Sequence, residues 1–346
     1  MISNILKSAL IFLSVLFVVS CGRPSGAESD GSGQADAAVR PVERQREAVL
    51  PGIYTPDLTV HLYPQGQDVD CGIVEDGVRI TLGPGESNAL ADEEFFWPAD
   101  MTWNNVQDAR ILVYLPEGHD GRMILMCPGG GYGTSLTTGS EGYFAAAELC
   151  RLGHAVALLL YRMPCGHHAI PLTDAQNALR YCRAHAQEWG IDHIGVMGGS
   201  AGGHLAACVS TLYTDAVTRP DFTILDYPVI STAEEFKFGG SSVRRLTGGD
   251  ASLRGRYGAD GMVTEDTPPA LLFHSVDDRA VSTGHSLRYF QALRSAGVQA
   301  QICIFPYGGH GWGFATAAHA GEDRLGAYRE VYFDMIEAFL DDVAPL

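Results

Sequence analysis

Residues 193–213 read HIGVMGGSAGGHLAACVSTLY. After His193 the first residues are apolar and run into a glycine pair, and from Ala201 onward apolar residues recur at helical spacing. A short apolar run closed by glycine reads as a buried strand, and the pattern after it as a helix. Between them, Gly198-Gly199-Ser200-Ala201-Gly202 matches G-x-S-x-G, a sharp strand-to-helix turn that lifts a serine hydroxyl above a sheet. Glycine is needed two residues to either side of the serine, because a side chain there would collide inside the turn. The following N–H, that of Ala201, is placed beside the charge that develops when the serine attacks a carbonyl. The string alone is weak, since chance supplies roughly 0.3 matches in a glycine-rich chain of this length. Set between a strand and a helix, it marks Ser200 as a nucleophile.

The same alternation extends to both sides. Short apolar runs at 109–115, 122–127, 155–161, 193–197, 222–226, 270–274 and 299–305 read as buried strands. Helical patterns fill 141–152, 172–189, 201–213, 282–296 and about 325–340. In the last, Tyr328, Val331, Tyr332, Met335, Ile336 and Phe339 share one face. Strands alternating with helices predict an α/β fold, a mostly parallel, doubly wound sheet with helices on both faces. Residues 50–120 hold strand-like pieces without clear helices, which predicts an antiparallel N-terminal edge. The glycine-rich, irregular segment 228–268 is expected to form a small cap over the strand ends.

Sites in open α/β sheets lie at the carboxyl ends of strands, so the residues after each strand are the candidates. After 122–127 comes Pro128-Gly129-Gly130-Gly131-Tyr132-Gly133, whose glycines let backbone N–H groups turn into a cleft. Gly130, Gly131 and Ala201 are the expected oxyanion donors, and losing one such donor typically costs on the order of 10²–10³ in rate. After 270–274, Asp278 stands three residues before Val281, a spacing that anchors the loop and aims the carboxylate sideways. Asp277 and Asp226 are the competing acids. After 299–305, His310 lies in Gly308-Gly309-His310-Gly311-Trp312-Gly313, a loop before the last helix. Among the 12 histidines, His204 is carried away by its helix, His274 reads as a core residue, and His167-His168 lack nearby carboxylates. Tyr132, Trp312 and Phe314 are candidates to line the substrate cleft. The order Ser200, Asp278, His310 is that of α/β hydrolases.

Lys+Arg number 23 against 41 Asp+Glu, a net charge of −18. Lys7 and Lys237 are the only lysines, and no basic run exists, which excludes nucleic acid as the main partner. The 346 residues begin with Lys7 and an apolar run over 9–19. That run is about 16 Å long as a helix, short for a bilayer and typical of a signal peptide. Residues 1–20 are read as this leader. Val18-Val19-Ser20-Cys21 resembles a lipobox, so Cys21 is the expected lipidated first residue of an exported, outer-membrane lipoprotein. Residues 21–48, rich in Gly, Ser, Ala and charge, read as a flexible tether, and 49–346 as one domain. Of the eight cysteines, Cys127, Cys208 and Cys303 lie in or beside apolar runs and read as core. No pair is singled out for a disulfide, and no structural metal or cofactor is expected.

The motifs CPGGGYG (127–133), YRMP (161–164), GGSAGGH (198–204), YPVIS (227–231), TPPALLFHSVDD (267–278) and GGHGWG (308–313) together resemble the bacterial acetylxylan-esterase-like branch of the α/β-hydrolase superfamily. That resemblance implies a serine esterase that deacylates plant polysaccharide, with no cofactor. Pro128 stands where lipase-like esterases carry the histidine of an H-G-G-G loop, which favours the carbohydrate-esterase branch. Ser282 stands where a proline often stiffens the acid loop. A serine peptidase or amidase on the same fold, and a non-catalytic surface-binding lipoprotein, are the rival readings.

Overall fold

The structure, a computed structural model, describes residues 52–63, 69–75, 78–82, 93–315 and 325–346. The expected leader, Cys21 and the tether lie outside the described residues.

Eight strands form the central sheet: β1 (Leu58–His61), β2 (Arg110–Tyr114), β3 (Arg122–Cys127), β4 (Ala155–Leu160), β5 (His193–Gly199), β6 (Thr223–Asp226), β7 (Ala270–Ser275) and β8 (Ala300–Phe305). Their order is β1-β2-β4-β3-β5-β6-β7-β8. The two N-terminal pairings are antiparallel, with Leu58 opposite Val113 and Ile111 opposite Leu159. From β4 to β8 all pairings are parallel. Every residue of β3, β4 and β7 is buried, which explains their largely apolar sequences, since a parallel sheet is covered on both faces. Burying one leucine or isoleucine side chain stabilises the fold by about 1.5–3 kcal/mol.

Among the described residues six α-helices accompany the sheet: α1 (Phe144–Arg151), α2 (Ala169–Trp189), α3 (Ser200–Thr211), α4 (Gly240–Leu246), α5 (Gly284–Ser295) and α6 (Tyr328–Val343). On α6, Tyr332, Ile336, Phe339 and Leu340 are buried. The helix expected over 141–152 begins late. Gly139–Tyr143 instead makes a wider π-type turn, in which Glu141 departs from helical geometry at φ −104° and ψ 17°. Its side chain is bound elsewhere, as described below. The expected cap carries α4 among short 3₁₀ turns at Glu234–Gly239, Ala251–Leu253 and Ala259–Gly261.

Two devices fix the loops around the strand ends. Arg162 of the YRMP motif forms a buried ion pair with Asp174 of α2, Nη2 to Oδ1 at 2.6 Å, while Asp174 Oδ2 accepts the Arg162 backbone N–H at 2.9 Å. Strands Phe95–Trp97, Thr102–Asn104 and Ser135–Leu136 form a separate three-stranded sheet, whose last strand directly follows the 129–133 loop. The thiols of Cys127, Cys150, Cys165, Cys182, Cys208 and Cys303 are free. No helix among the described residues is long and apolar enough to cross a membrane.

Candidate active site

Strand β5 ends at Gly199 and α3 begins at Ser200, leaving no loop between them. The reversal is absorbed by Ser200 itself, whose φ is +54°. A left-handed backbone at a non-glycine residue costs about 1–3 kcal/mol and persists only where the surroundings enforce it. They do so here: a Cβ on Gly202 would overlap the carbonyl oxygens of Cys127 and Pro128, so α3 starts pressed against the end of β3.

The turn presents the serine hydroxyl to His310, with Oγ to Nε2 at 2.9 Å. The other ring nitrogen, Nδ1, lies 2.7 Å from Asp278 Oδ2. The carboxylate accepts only, so Nδ1 carries a proton and Nε2 is free to accept from Ser200. Asp278 Oδ1 accepts the N–H groups of Ala280 at 2.8 Å and Val281 at 2.9 Å. Burial works to raise this carboxyl, but hydrogen bonds from His274, His310 and the Val281 amide outweigh it and hold Asp278 well below the usual carboxylate range. The competing acids do other work. Asp277 Oδ1 accepts the Gly309 N–H at 2.8 Å. Buried Asp226 meets the Tyr332 hydroxyl at 3.2 Å.

The glycine loop borders the serine: a Cβ on Gly129 would stand 3.2 Å from Ser200 Cβ. Gly130 and Gly131 have φ of 122° and 65°. A Cβ on Gly130 would overlap the Ser135 carbonyl, so no other residue fits there. Among the described residues the N–H groups of Gly130 and Gly131 have no acceptor within the protein. The Ala201 N–H, in the first turn of α3, has no intrahelical partner. From the cap, Arg245 Nη1 donates to the Gly131 carbonyl at 3.2 Å and steadies the loop.

Three expected cleft residues do not line a cleft. Tyr132, Trp312 and Phe314 are 3%, 2% and 1% exposed. The Tyr132 hydroxyl donates to His204 Nδ1 at 3.0 Å, and His204 Nε2 donates to the Tyr257 carbonyl at 2.8 Å, so both rings belong to the packing beneath α3. Trp312 packs edge-on against Tyr227, with ring centres 4.8 Å apart, and backs the His310 loop. Aromatic side chains next to a reactive loop were drawn inward because they bury the most area. A cleft of about 370 Å³ opens instead between the cap and the acid loop, bordered by Phe236, Lys237, Ser242, Arg279 and Thr283.

Two further site residues carry little signal in the sequence. His274 reads as a core histidine, but its Nε2 lies 3.3 Å from Asp278 Oδ2. Glu141 is 3% exposed, and its Oε2 accepts the Gly129 N–H at 2.6 Å. Its place after the glycine loop, bracketed by Gly139 and Gly142, was the one available sign.

A serine on a strand–helix turn, a histidine after the last strand and an acid after the strand before it, all on this sheet order, form the arrangement of the α/β-hydrolase fold. The chain has that fold. Residues 111–238 match the BD-FAE family. The chain is 39% identical over 215 residues to an acetylxylan esterase of Xylanibacter ruminicola, covering 60% of this chain and 44% of that protein. It is 31% identical over 207 residues to endo-1,4-beta-xylanase B of Butyrivibrio fibrisolvens, covering 54% and 32%. The chain therefore spans less than half the length of either relative. Among solved structures it resembles an acetyl ester-xyloside bifunctional hydrolase from Caldicellulosiruptor lactoaceticus, with TM-score 0.60, 28% identity, and coverage of 82% of this chain and 98% of that one. Within the superfamily the resemblance is to the acetylxylan-esterase-like branch, among carboxylic ester hydrolases.

Proposed function

We propose that this protein is a serine esterase that removes acetyl or other small acyl groups from carbohydrate, with acylated xylan-type polysaccharide as its substrate class. The observation that carries this reading is the continuous hydrogen-bonded chain Ser200–His310–Asp278 beside a loop with two unengaged amides. Ser200 Oγ attacks the ester carbonyl as His310 Nε2 takes its proton. Asp278 holds the ring in the required tautomer and stabilises the imidazolium. The N–H groups of Gly130, Gly131 and Ala201 receive the oxyanion. His310 returns the proton to the sugar oxygen as it leaves, and water, activated by the same histidine, then releases the acid from Ser200. Aromatic residues around the site are buried, and the adjoining cleft carries Lys237, Ser242, Arg279 and Thr283. Such a lining suits a hydroxylated substrate better than a long acyl chain.

Ser200→Ala, assayed with 4-nitrophenyl acetate and acetylated xylan, tests the reading. Loss of hydrolysis on both with an unchanged melting temperature is expected. Residual activity above a few per cent would move the nucleophile elsewhere. Hydrolysis of amides in preference to esters by the unaltered protein would favour the peptidase reading.

The proposed location is the cell envelope, with the chain exported and held by a lipid on Cys21. Cys21→Ser is expected to release the protein from membranes and abolish lipid labelling. Unchanged membrane association in that variant would refute the anchor.

A further inference from the structure

Glu141 is an ionisable side chain buried directly under the reacting groups, and no step above uses it. Its Oε2 accepts the Gly129 N–H at 2.6 Å and the Thr137 hydroxyl at 2.9 Å, and its Oε1 accepts the Tyr227 hydroxyl at 2.9 Å. A Cβ on Gly199, the residue before the nucleophile, would lie 3.1 Å from the Glu141 carboxyl carbon. Tyr227 continues the path, because its ring stands edge to face with the His310 ring at 5.1 Å. The Tyr161 hydroxyl reaches the same loop, donating to the Pro128 carbonyl at 2.8 Å.

Burying a carboxylate costs several kcal/mol unless hydrogen bonds and a nearby positive charge offset it. A glutamine in this place could accept the Gly129 N–H at no such cost. The negative charge therefore calls for a function, and His310, reached from it across the Tyr227 ring, becomes positively charged during the proposed reaction. We infer that Glu141 is a positioning residue of the site: it holds the glycine loop in its oxyanion-binding form and lies as a second negative charge beneath the His310 imidazolium. The inference rests on the esterase reading above.

Three donors, the Gly129 amide and the Thr137 and Tyr227 hydroxyls, converge on the Glu141 carboxyl, which suits its acceptor-only, ionised form. Burial raises this carboxyl above its ordinary range, opposed by those same hydrogen bonds and by the His310 charge. Burial also raises buried Asp226 well above its ordinary value, and Glu141 adds to that rise. The hydroxyls of Tyr161, Tyr227 and Tyr332 are all raised by burial and by Glu141 itself, so they stay protonated.

Glu141→Gln keeps an acceptor for Gly129 and removes the charge, whereas Glu141→Asp keeps the charge and withdraws it from Gly129 by one methylene. Both are measured with 4-nitrophenyl acetate, with melting temperature as the check on folding. Glu141→Gln is expected to lower kcat at least tenfold with KM within threefold. Glu141→Asp is also expected to lower kcat, and it decides the loop role if the glutamine variant does not fold. A folded Glu141→Gln with kcat within twofold of the parent would overturn the inference, as would Glu141→Asp with unchanged kcat. Failure of the underlying reading looks different: the parent protein itself would lack Ser200-dependent ester hydrolysis.

Discussion

His274 Nε2 stands 3.3 Å from Asp278 Oδ2 and 3.1 Å from the Val281 carbonyl, with its Nδ1 at 2.8 Å from Ser286 Oγ. The Val281 oxygen can only accept, so Nε2 bears the proton and Nδ1 accepts from the serine. The acid of the proposed triad is therefore approached by two imidazole donors on the same oxygen, Oδ2. One comes from the loop that follows the last strand and the other from the buried end of β7. With the Ala280 and Val281 amides on Oδ1, they fix the carboxylate plane.

His274→Leu is accordingly expected to lower kcat by about tenfold or more, since one hydrogen bond to a charged group contributes ~1.5–3 kcal/mol net. His274→Gln, which retains an N–H donor, should recover part of that loss. Equal activity in the leucine variant and the parent would show that the Ala280 and Val281 amides suffice to hold the acid.

Asp278→Asn should reduce turnover by ~10⁴, because the amide lets His310 adopt the wrong tautomer. Asp277→Asn should stay within roughly tenfold, a loss of ~1.4 kcal/mol, since Asp277 supports only the Gly309 amide. Steady-state kinetics of both variants on one acetate ester decides the matter. Reversed effects would exchange their roles, and two mild effects would point to Asp226.

Acid should weaken the fold through two buried histidines. Burial lowers both His204 and His285 to about 4, against an unfolded value near 6.5. Their contribution is fully present above about 6.5 and is lost as pH falls toward the folded value, because the unfolded chain binds the protons more readily. Each is worth on the order of 3 kcal/mol across that window. Urea unfolding at pH 7, 5.5 and 4.5 should show the decline, and a flat stability over this range would contradict it.

Asp174→Ala removes one partner of the buried pair with Arg162 and leaves a charge uncompensated. A loss of about 3–5 kcal/mol is expected, read as a lower midpoint in chemical denaturation. An unchanged midpoint would mean that Arg162 finds another partner.

Gly202→Ala should disturb the start of α3, since the added methyl overlaps the Cys127 and Pro128 carbonyl oxygens. Overpacking of this kind costs about 1–3 kcal/mol, and here it also displaces Ser200. The expected result is a large fall in kcat with a smaller fall in melting temperature. Parent-like kinetics would show that the turn tolerates a wider approach to β3.

The strands from β3 to β7 were legible in the sequence because a sheet covered on both faces demands apolar runs, and β8, a half-buried edge strand, because its short apolar run closes the alternation. Ser200 was legible because its turn admits only glycine at defined offsets, and Asp278 and His310 because a parallel sheet collects its functional loops at one edge. Those properties are local or follow from chain order alone. Whether Tyr132 and Trp312 face substrate or core was not local, since an aromatic ring fits either place and tertiary packing decided for the core. The roles of His274 and Glu141 were equally hidden. A histidine within a strand and a glutamate before a helix acquire meaning only from what lies across space, and residues 129 and 141 meet because the small sheet at 135–136 folds the chain back between them. Periodicity and turn sterics wrote the scaffold into the sequence, while the partners of buried polar groups were settled by long-range contacts that no spacing encodes.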